Sequence, residues 1–344
     1  MKRHSTVFVL LVLVFLAAPS YGGSTGPVRA GGSTLVYPIM QKWIAEYRQL
    51  KGVEVDYAST GSGRGIAGMI EKTLDFGCTD APLSDSDLKR AGDIGGVVVH
   101  VPLVMGAVAP IYNLPEVSGP IRFSGAVLAN IFLGKVQKWN DPALTALNAT
   151  LALPDKSIAV VYRLDSSGTT YVWTDYLSKV SPAWKTSPGV GKTVEWPVGV
   201  AAKGNEGVAG EVKQIPGSIG YAQLSYGLQN EVQSGLVQNA VGDFVAPQPA
   251  AITVAATESL STIPNDLRFS ITDAPGMGAY PISGATWAVV YVNQPPDKGQ
   301  DVVNFLHWVL HDGQQYSAAL YYAPLSPALV DRAEEKLSQI TAPR

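Results

Sequence analysis

The sequence predicts an α/β fold, because short β-branched segments alternate with segments of helical spacing along its 344 residues. Residues 37–50 illustrate the helical spacing, since Ile39, Trp43, Ile44 and Tyr47 fall on one stripe. A further observation is that several connections from a strand to the next helix are rich in Gly, Ser and Thr. Such connections are typical of α/β proteins that bind ligands at the ends of their strands.

Strands and helices can be assigned in order along the chain. The strand at 97–104 is strongly apolar, and the helix at 123–132 ends just before Gly134, a residue type common at helix C-termini. Strands are predicted at 28–32, 53–58, 97–104, 157–162, 218–222 and 287–292. Helices are predicted at 37–50, 65–73, 123–132, 171–180, 208–214, 301–311 and 327–340.

The first segment has the pattern of a secretory signal peptide. Lys2 and Arg3 give it a basic start, and residues 7–18 form an apolar run of 12 residues. Small residues follow, and we expect cleavage after Gly22; the run is shorter than the roughly 20 residues needed to cross a bilayer. The single cysteine, Cys78, is far from this segment, so we expect no lipid attachment. These features predict a soluble protein of the periplasm.

Length and charge limit the classes of function. Removal of residues 1–22 leaves 322 residues, which suggests two domains, and takes the formal charge from −3 to −5 because Lys2 and Arg3 are lost. A net negative chain is poorly suited to nucleic acid or to an anionic membrane. Any anion would have to be held by local dipoles and a well-placed cation. Cys78 cannot form an intramolecular disulfide and is predicted to be a buried apolar residue.

Three segments share one layout, in which an apolar strand is followed by Gly with Ser or Thr and then by a helix. They are residues 30–35 (AGGSTL), 60–65 (TGSGRG) and 163–170 (RLDSSGTT). The first turn of a helix has N–H groups without partners and about half a positive charge, and glycine lets a ligand approach the backbone. Each segment alone would be explained as well by ordinary helix capping. Three in one chain favour an anion site.

Two charged residues make this prediction more specific. Arg163 can offer a bidentate guanidinium to an oxyanion, or it can pair with Asp165, and both roles are compatible. Asp80 lies just before a predicted helix start at 84–88 and could serve in capping. In a site rich in donors, its carboxylate would instead favour an anion that still carries a proton, such as phosphate, over sulfate.

Further motifs extend this pattern over nearly the whole chain after residue 22. With them, the sequence resembles the PstS family, the periplasmic phosphate-binding proteins of phosphate ABC importers. The motifs are residues 30–34 (AGGST), 42–43 (KW), 61–65 (GSGRG), 75–77 (DFG), 80–82 (DAP), 131–135 (IFLGK), 138–142 (KWNDP), 163–170 (RLDSSGTT) and 217–221 (GSIGY).

The resemblance implies a two-lobed fold of the periplasmic binding protein type II, with the ligand between the lobes. Lobe 1 would comprise residues 23–108 and 281–344, and lobe 2 residues 109–280. The sequence contains no polar linker between domains, so we expect the chain to cross between lobes as strands, near 105–112 and 280–285.

The resemblance also implies the ligand contacts. Leu35 stands where the family often has Phe, which leaves a backbone contact possible and changes the local packing. Ser33 and Cys78 replace residues that are often small, and we expect little effect from them. The implied phosphate-binding residues are Thr34, Leu35, Ser62, Asp80, Arg163, Ser167, Gly168 and Thr169.

The function implied by the resemblance is high-affinity binding of inorganic phosphate in the periplasm and its delivery to the permease subunits of an ABC transporter. The protein would be a monomer with no cofactor, no metal and no catalytic residue. It would not bind nucleic acid.

Two other functions stay open at this point. A periplasmic phosphatase would need a nucleophile with a base, or a metal cluster, and the implied site contains no His. A binder of sulfate or molybdate would conflict with Asp80. Separately, His307 and His311 are four residues apart on a predicted helix and could share a zinc ion. With no Glu or Cys set near them in the sequence, an ordinary amphipathic helix is favoured.

Overall fold

A computed structural model describes residues 26–341 of the chain. The predicted signal peptide, residues 1–22, therefore lies outside the described residues. Within the described part, strands and helices alternate around a mixed sheet of nine strands, and a smaller sheet has three strands. The predicted α/β class is confirmed. None of the helices in residues 26–341 is both long enough and apolar enough to cross a membrane.

The described residues form twelve strands, twelve α-helices and three short 3-10 helices. The strands are β1 (Val28–Gly32), β2 (Val55–Ser59), β3 (Phe76–Thr79), β4 (Val98–Tyr112), β5 (Arg122–Phe123), β6 (Ala159–Arg163), β7 (Val200–Ala202), β8 (Ser218–Gln223), β9 (Gln233–Ser234), β10 (Leu236–Gln238), β11 (Phe244–Val245) and β12 (Ser283–Tyr291). The α-helices are α1 (Tyr37–Lys51), α2 (Ser62–Ile70), α3 (Asp85–Gly95), α4 (Gly125–Phe132), α5 (Pro142–Leu147), α6 (Gly168–Val180), α7 (Pro182–Thr186), α8 (Gly204–Gln214), α9 (Leu224–Gln229), α10 (Pro249–Ser259), α11 (Gly299–Leu310) and α12 (Pro327–Leu337). The 3-10 helices are Leu260–Thr262, Asp312–Tyr316 and Ala318–Leu320.

Local sequence signals explain where some helices begin and end. Pro38 lies in the first turn of α1, where its missing N–H costs nothing. Gly52 ends α1 in the left-handed conformation, with φ 71°, and its N–H donates to the carbonyl oxygen of Arg48. The hydroxyl of Ser84 accepts a hydrogen bond from the N–H of Asp87 and so caps α3.

The long strand β4 joins the two halves of the main sheet. The strand order is β2-β1-β3-β12-β4-β8-β6-β7, and β9 also pairs with β4. β4 pairs with β12 up to Ala107 and with β8 from Val108 onward. The predicted boundary between residues 108 and 109 falls near this change of partner. The division into lobe 1 and lobe 2 stays a prediction.

Parallel pairing brings the candidate site segments to common sheet edges. β1 runs parallel to β2 and β3, so the segments that hold Thr34, Ser62 and Asp80 follow the carboxyl ends of three neighbouring strands. β6 runs parallel to β7 and β8, so the residues after Arg163 and Ala202 also follow neighbouring strand ends. Ligands of α/β proteins bind at this kind of edge.

The buried face of α1 agrees with the predicted stripe except at one position. Ile39, Trp43 and Tyr47 are buried as predicted, but Ile44 is only half-buried and Met40 is buried as well. The prediction that Cys78 is a buried residue is confirmed, since it lies in β3 with no exposed surface.

Some element boundaries predicted from the sequence were wrong. The predicted helix at 123–132 starts two residues late in the structure, because Arg122 and Phe123 form a strand that pairs with β10. The strand predicted at 97–104 continues to Tyr112, because its second half gains a partner in β8. Both differences arise from pairing with distant segments, which a local pattern does not show.

Candidate functional site

Ser33 and Thr34 form the connection between β1 and α1. The Ser33 hydroxyl accepts hydrogen bonds from the N–H groups of Leu35, at 3.0 Å, and Val36, at 3.4 Å, and so organises the start of the helix. Thr34 is buried, and its carbonyl oxygen accepts a hydrogen bond from the Tyr226 hydroxyl at 2.6 Å. The Thr34 side chain is thereby held at the carboxyl edge of β1.

Asp80 is buried and accepts hydrogen bonds from three hydroxyl groups. Ser33 Oγ lies 2.6 Å from Asp80 Oδ1 and 2.7 Å from Oδ2, and Thr286 Oγ1 lies 2.6 Å from Oδ1. Ser62 Oγ lies 3.4 Å from Oδ2 and also accepts a hydrogen bond from the Asp80 N–H at 3.2 Å. The carboxyl group is therefore fixed in position by three different elements.

Burial raises the pKa of Asp80 to about 6, against hydrogen bonds from Ser33 and Thr286, the charge of Arg163 and the hydrogen bond from Ser62, which all lower it. Near neutral pH the carboxyl group is mostly ionised but can take up a proton at modest cost. An ionised carboxylate can only accept hydrogen bonds, whereas a protonated one can donate one.

Arg163, the last residue of β6, is buried and paired with Asp165. Its Nε donates to Asp165 Oδ1 at 2.9 Å and its Nη2 to Oδ2 at 2.5 Å, while Nη1 lies 3.3 Å from Thr169 Oγ1. Burial would raise the pKa of Asp165, but the hydrogen bond and charge of Arg163 and the N–H of Gly204 outweigh it, so the pKa is lowered. The ion pair holds the guanidinium with its Nη1 toward α6.

The first turn of α6 lies beside this guanidinium. Ser167 is the N-cap, and its hydroxyl accepts from the Thr170 N–H at 3.1 Å. Gly168 and Thr169 occupy the first two helical positions, where N–H groups have no partner within the helix. Ser167, Gly168 and Thr169 are all buried. The segment combines a helix N-terminus, hydroxyl donors and one cation.

The residues that follow β1, β2 and β3 are in contact with the residues at the start of α6. The Gly63 N–H, at the start of α2, donates to the Ser166 carbonyl oxygen at 2.9 Å. A β-carbon on Gly168 would lie 2.5 Å from Asp80 Oδ2, so the start of α6 touches the carboxyl group. At the rim, Lys192 Nζ lies 3.6 Å from Asp87 Oδ2. The structure therefore brings together Thr34, Ser62 and Asp80 with Arg163, Ser167, Gly168 and Thr169.

Leu35 differs from the other predicted residues. Its amide, which was predicted to contact the ligand, donates to Ser33 Oγ. Its carbonyl oxygen accepts from the Tyr322 hydroxyl at 2.6 Å, and its side chain is buried in the core. An anion would have to share the Leu35 amide with Ser33.

Sequence reasoning missed four residues that hold the site together. The main one is Asn205, fully buried, whose Nδ2 donates to Thr34 Oγ1 at 2.7 Å and to Thr169 Oγ1 at 3.0 Å. Its Oδ1 accepts from the Gln223 N–H at 3.0 Å, which fixes the amide orientation. Asn205 follows Gly204 at a strand-to-helix connection like those of the three predicted segments, but with Asn in place of Ser or Thr, and this partial match could have identified it. The other three are Ser33, Thr286 and Tyr226.

Ser33, which was expected to have little effect as a replacement for an often smaller residue, places its hydroxyl inside the site. Its hydroxyl contacts both oxygens of Asp80 and also caps α1, so it links the carboxyl group to the helix start. What Ser33 contributes to ligand binding stays a prediction.

The site as a whole offers many donors and little net charge. Arg163 is neutralised by Asp165, and Asp80 adds a further acid, so the side chains supply no excess of positive charge. An anion held here would depend on hydroxyl groups, backbone N–H groups and helix N-termini. Within residues 26–341, the group of metal-type ligands that lies close together is His307, His311 and Glu334, on α11 and α12 and outside this site.

Comparisons with known proteins are consistent with this arrangement. The family model described as PBP superfamily domain matches residues 18–312. The phosphate-binding protein PstS of Xylella fastidiosa is 42% identical over 310 residues, covering 89% of this chain and 84% of the relative. The phosphate-binding protein PstS of Pasteurella multocida is 38% identical over 336 residues, covering 97% of this chain and 95% of the relative.

Solved structures share the fold at lower identity. The periplasmic phosphate-binding protein PfluDING, solved with phosphate, gives a TM-score of 0.71 at 20% identity and covers 90% of this chain and 93% of its own. The phosphate-binding protein of Stenotrophomonas maltophilia gives a TM-score of 0.66 at 22% identity, with the same coverage of 90% and 93%. These two likenesses bear on the fold, which matches the predicted periplasmic binding protein type.

Proposed function

The chain belongs to the PBP superfamily and, within it, to the family of PstS phosphate-binding proteins, and on this premise we propose that it binds inorganic phosphate with high affinity for import by an ABC transporter. The proposed contacts are Thr34, Leu35, Ser62, Asp80, Arg163, Ser167, Gly168 and Thr169. Asn205 is added to them as the residue that ties Thr34 to Thr169.

The observation that carries this proposal is the buried carboxyl group of Asp80 among donors. Hydroxyl groups, helix N-termini and Arg163 would bind any oxyanion of suitable size. An ionised Asp80 would repel an anion that has no proton to offer, such as sulfate. Phosphate keeps at least one proton near neutral pH and can donate it to Asp80. The site therefore favours phosphate through a hydrogen bond that sulfate cannot form.

The burial of the site supports a mechanism of opening and closing. Thr34, Ser62, Asp80 and Arg163 are each at most 3% exposed. The contacts between Gly63 and Ser166, and between Asn205 and Thr34, would separate in an opening that admits an ion. Bound phosphate would contact the residues after β1 to β3 and the residues at the start of α6 at once. It would therefore stabilise the closed form.

Transport needs steps beyond binding. We propose that the exported, mature chain acts as a monomer in the periplasm and that its closed form docks on the permease subunits. The relatives named PstS and the predicted signal peptide support this. No change in the ligand's covalent structure is needed, and no resident cofactor takes part.

The hydroxyl and thiol groups of the site support a binding protein better than an enzyme. Cys78 is buried, and burial raises its pKa far above the usual range, so no thiolate forms near neutral pH. Among the described residues, the hydroxyls of Ser33, Ser62 and Ser167 have no His as a hydrogen-bond partner. Ser33 and Ser62 donate instead to the carboxyl group of Asp80, which the proposal assigns to accepting the proton of bound phosphate.

The proposal is tested by calorimetry on the mature chain after removal of bound anion by unfolding and refolding. Phosphate should bind at one site per chain with micromolar or tighter affinity, at least about 8 kcal/mol, and excess sulfate should not compete at pH 8. The same sample should leave a chromogenic phosphate ester uncleaved. Absence of phosphate binding, or equal binding of sulfate, would contradict the proposal.

A further inference from the structure

A second cluster of reactive side chains lies on α11 and α12. His307 is in the last turn of α11, and His311 follows at its end, four residues later. Glu334, in α12, faces both rings: its Oε1 lies 2.8 Å from His307 Nδ1 and 3.1 Å from His311 Nε2. Asp312 is the acid next to this pair in the sequence, and the packing of α12 against α11 adds Glu334, which contacts both rings.

The geometry of the three groups suits a metal ion. One nitrogen of each imidazole and one carboxylate oxygen all lie within 4.8 Å of one another. Tetrahedral zinc has bonds of about 2.0–2.2 Å to such atoms, which places its ligands about 3.3 Å apart. The two observed distances of 2.8 Å and 3.1 Å are close to this spacing. Small side-chain rotations would make room for an ion.

The chemical environment is open to an ion from solvent. The side chains of His307, His311 and Glu334 are 58%, 46% and 30% exposed. His307 and His311 line an open groove of ≈ 430 Å³, which Asp312 and Lys51 also line. Near the cluster, the two carboxylates of Glu334 and Asp312 stand against the one ammonium group of Lys51, which favours a cation.

Hydrogen bonding alone is the competing explanation. Each ring would then donate an N–H to the same oxygen, Glu334 Oε1. A hydrogen bond from one of the two histidines would already satisfy this Glu334 oxygen, so hydrogen bonding does not explain why both rings face it. A metal site instead needs one nitrogen lone pair from each ring and one carboxylate oxygen to converge on a common point, and these three atoms lie close enough together for that.

We propose that His307, His311 and Glu334 form a surface site for a divalent transition-metal ion of the Zn²⁺ type, with solvent at the remaining position. Imidazole nitrogens with one carboxylate suit Zn²⁺, Ni²⁺ and Cu²⁺, whereas Ca²⁺ and Mg²⁺ prefer all-oxygen ligands. The ion would tie α12 to α11. It lies outside the anion site, so phosphate binding does not depend on it.

The experiment uses the mature chain without a histidine tag, in phosphate-free buffer at pH 7.5. Equilibrium dialysis with Zn²⁺ should show one ion per chain. His307→Gln, His311→Gln and Glu334→Gln should each weaken zinc binding at least about tenfold, because each removes one of three ligands. Glu335→Gln is the matched control, since Glu335 is the exposed neighbour on α12 and has no contact with either ring.

Two further measurements separate loss of the site from loss of the fold. Phosphate affinity of each variant in zinc-free buffer should equal that of the parent chain. Co²⁺ should give visible absorption bands typical of tetrahedral coordination in the parent chain and in Glu335→Gln, but not in His307→Gln/His311→Gln. His100 is not a competing ligand, because it is buried and its Nε2 accepts from the Leu83 N–H.

The proposal is overturned if zinc shows no saturable binding at concentrations up to about 100 μM, which corresponds to about 5.5 kcal/mol. It is overturned equally if His307→Gln/His311→Gln binds zinc as the parent chain does, or if Glu335→Gln loses as much affinity as Glu334→Gln.

Discussion

Gly168 lies directly against Asp80, so that a β-carbon at position 168 would come 2.5 Å from Asp80 Oδ2 and 2.6 Å from Asp80 Cβ. Gly168 begins α6, and Asp80 follows β3, so this contact joins the two halves of the site. Any side chain at position 168 would hold these halves apart. The contact places Asp80 beside the helix N-terminus whose N–H groups are proposed to bind the anion.

Gly168→Ala should therefore weaken phosphate binding while leaving the separate halves folded. Gly168 is the first residue of a helix and has no left-handed conformation to preserve, so alanine is compatible with its backbone. We expect at least about a tenfold loss of affinity by calorimetry. Gly210→Ala is the control: it lies in α8 with nothing near its β-carbon, and alanine should stabilise that helix by about 0.5–1 kcal/mol without changing affinity. Equal affinities in both variants would rule out the close approach as a requirement.

Asp80→Asn should reduce the selectivity for phosphate over sulfate. The amide can donate a hydrogen bond to an oxyanion that carries no proton, which the carboxylate cannot do. Phosphate affinity should fall at pH 8, and sulfate should become a measurable competitor in calorimetric displacement. Asp56→Asn removes one acid from an exposed position on β2 and should change neither value. If selectivity is unchanged in Asp80→Asn, Asp80 is not the discriminating group.

Sulfate binding to the parent chain should depend on pH in a defined direction. The pKa of Asp80 is about 6, so the group is protonated below that pH and ionised above it. A protonated Asp80 can donate to sulfate, and it no longer repels a dianion. Sulfate should therefore bind measurably at pH 5 and lose affinity as the pH rises through about 6. Titrations at four pH values between 5 and 8 would show this, and Asp80→Asn should remove the dependence.

The same carboxyl group should lower the stability of the anion-free protein at neutral pH. Its pKa in the folded state lies above the ordinary 3.8, so the folded state binds the proton more tightly than the unfolded state. The free energy of unfolding should then fall as the pH rises from 3.8 through about 6, by up to about 3 kcal/mol. Asp80→Asn should be more stable than the parent chain at pH 8, and the difference should shrink at pH 4. Thermal or urea unfolding at both pH values measures it; a difference that is the same at pH 4 and pH 8 would contradict the assignment.

Much of the site could be predicted because its residues occur in short motifs whose residue types by themselves indicate anion binding. The segments around Thr34, Ser62 and Ser167 combine Gly with hydroxyl groups before a helix, and the structure brings them together with Asp80 and Arg163. The pairing of Arg163 with Asp165 was also foreseen, as one of two compatible roles.

The rest depends on contacts between distant segments. Thr286 in β12 donates to Asp80, and Glu334 in α12 contacts His307. The sequence around Thr286 and Glu334 does not indicate these partners. The extension of β4 to Tyr112 has the same origin, because β8 supplies the second pairing. The predicted roles of the site residues toward a ligand, and the limits of the two lobes, stay predictions.

Asn205 gives the last test, because its side-chain amide bridges Thr34 and Thr169 without being one of the residues implied by the family motifs. Its Nδ2 donates to both hydroxyl oxygens, which leaves the two hydroxyl protons free to be donated to a ligand. Asn205→Ala should lose these hydrogen bonds and weaken phosphate binding by about 1–2 kcal/mol, roughly 5- to 30-fold.

Asn205→Asp is the discriminating variant for this role. It keeps an oxygen that can accept from the Gln223 N–H, but it cannot donate to the two threonines and it adds a negative charge beside the anion. It should bind phosphate more weakly than Asn205→Ala, although its shape is closer to the parent residue. Calorimetry would rank the two variants, with unfolding curves to show that both fold. If Asn205→Asp binds as tightly as the parent chain, Asn205 serves only to fix the backbone at Gln223 and has no part in orienting Thr34 and Thr169.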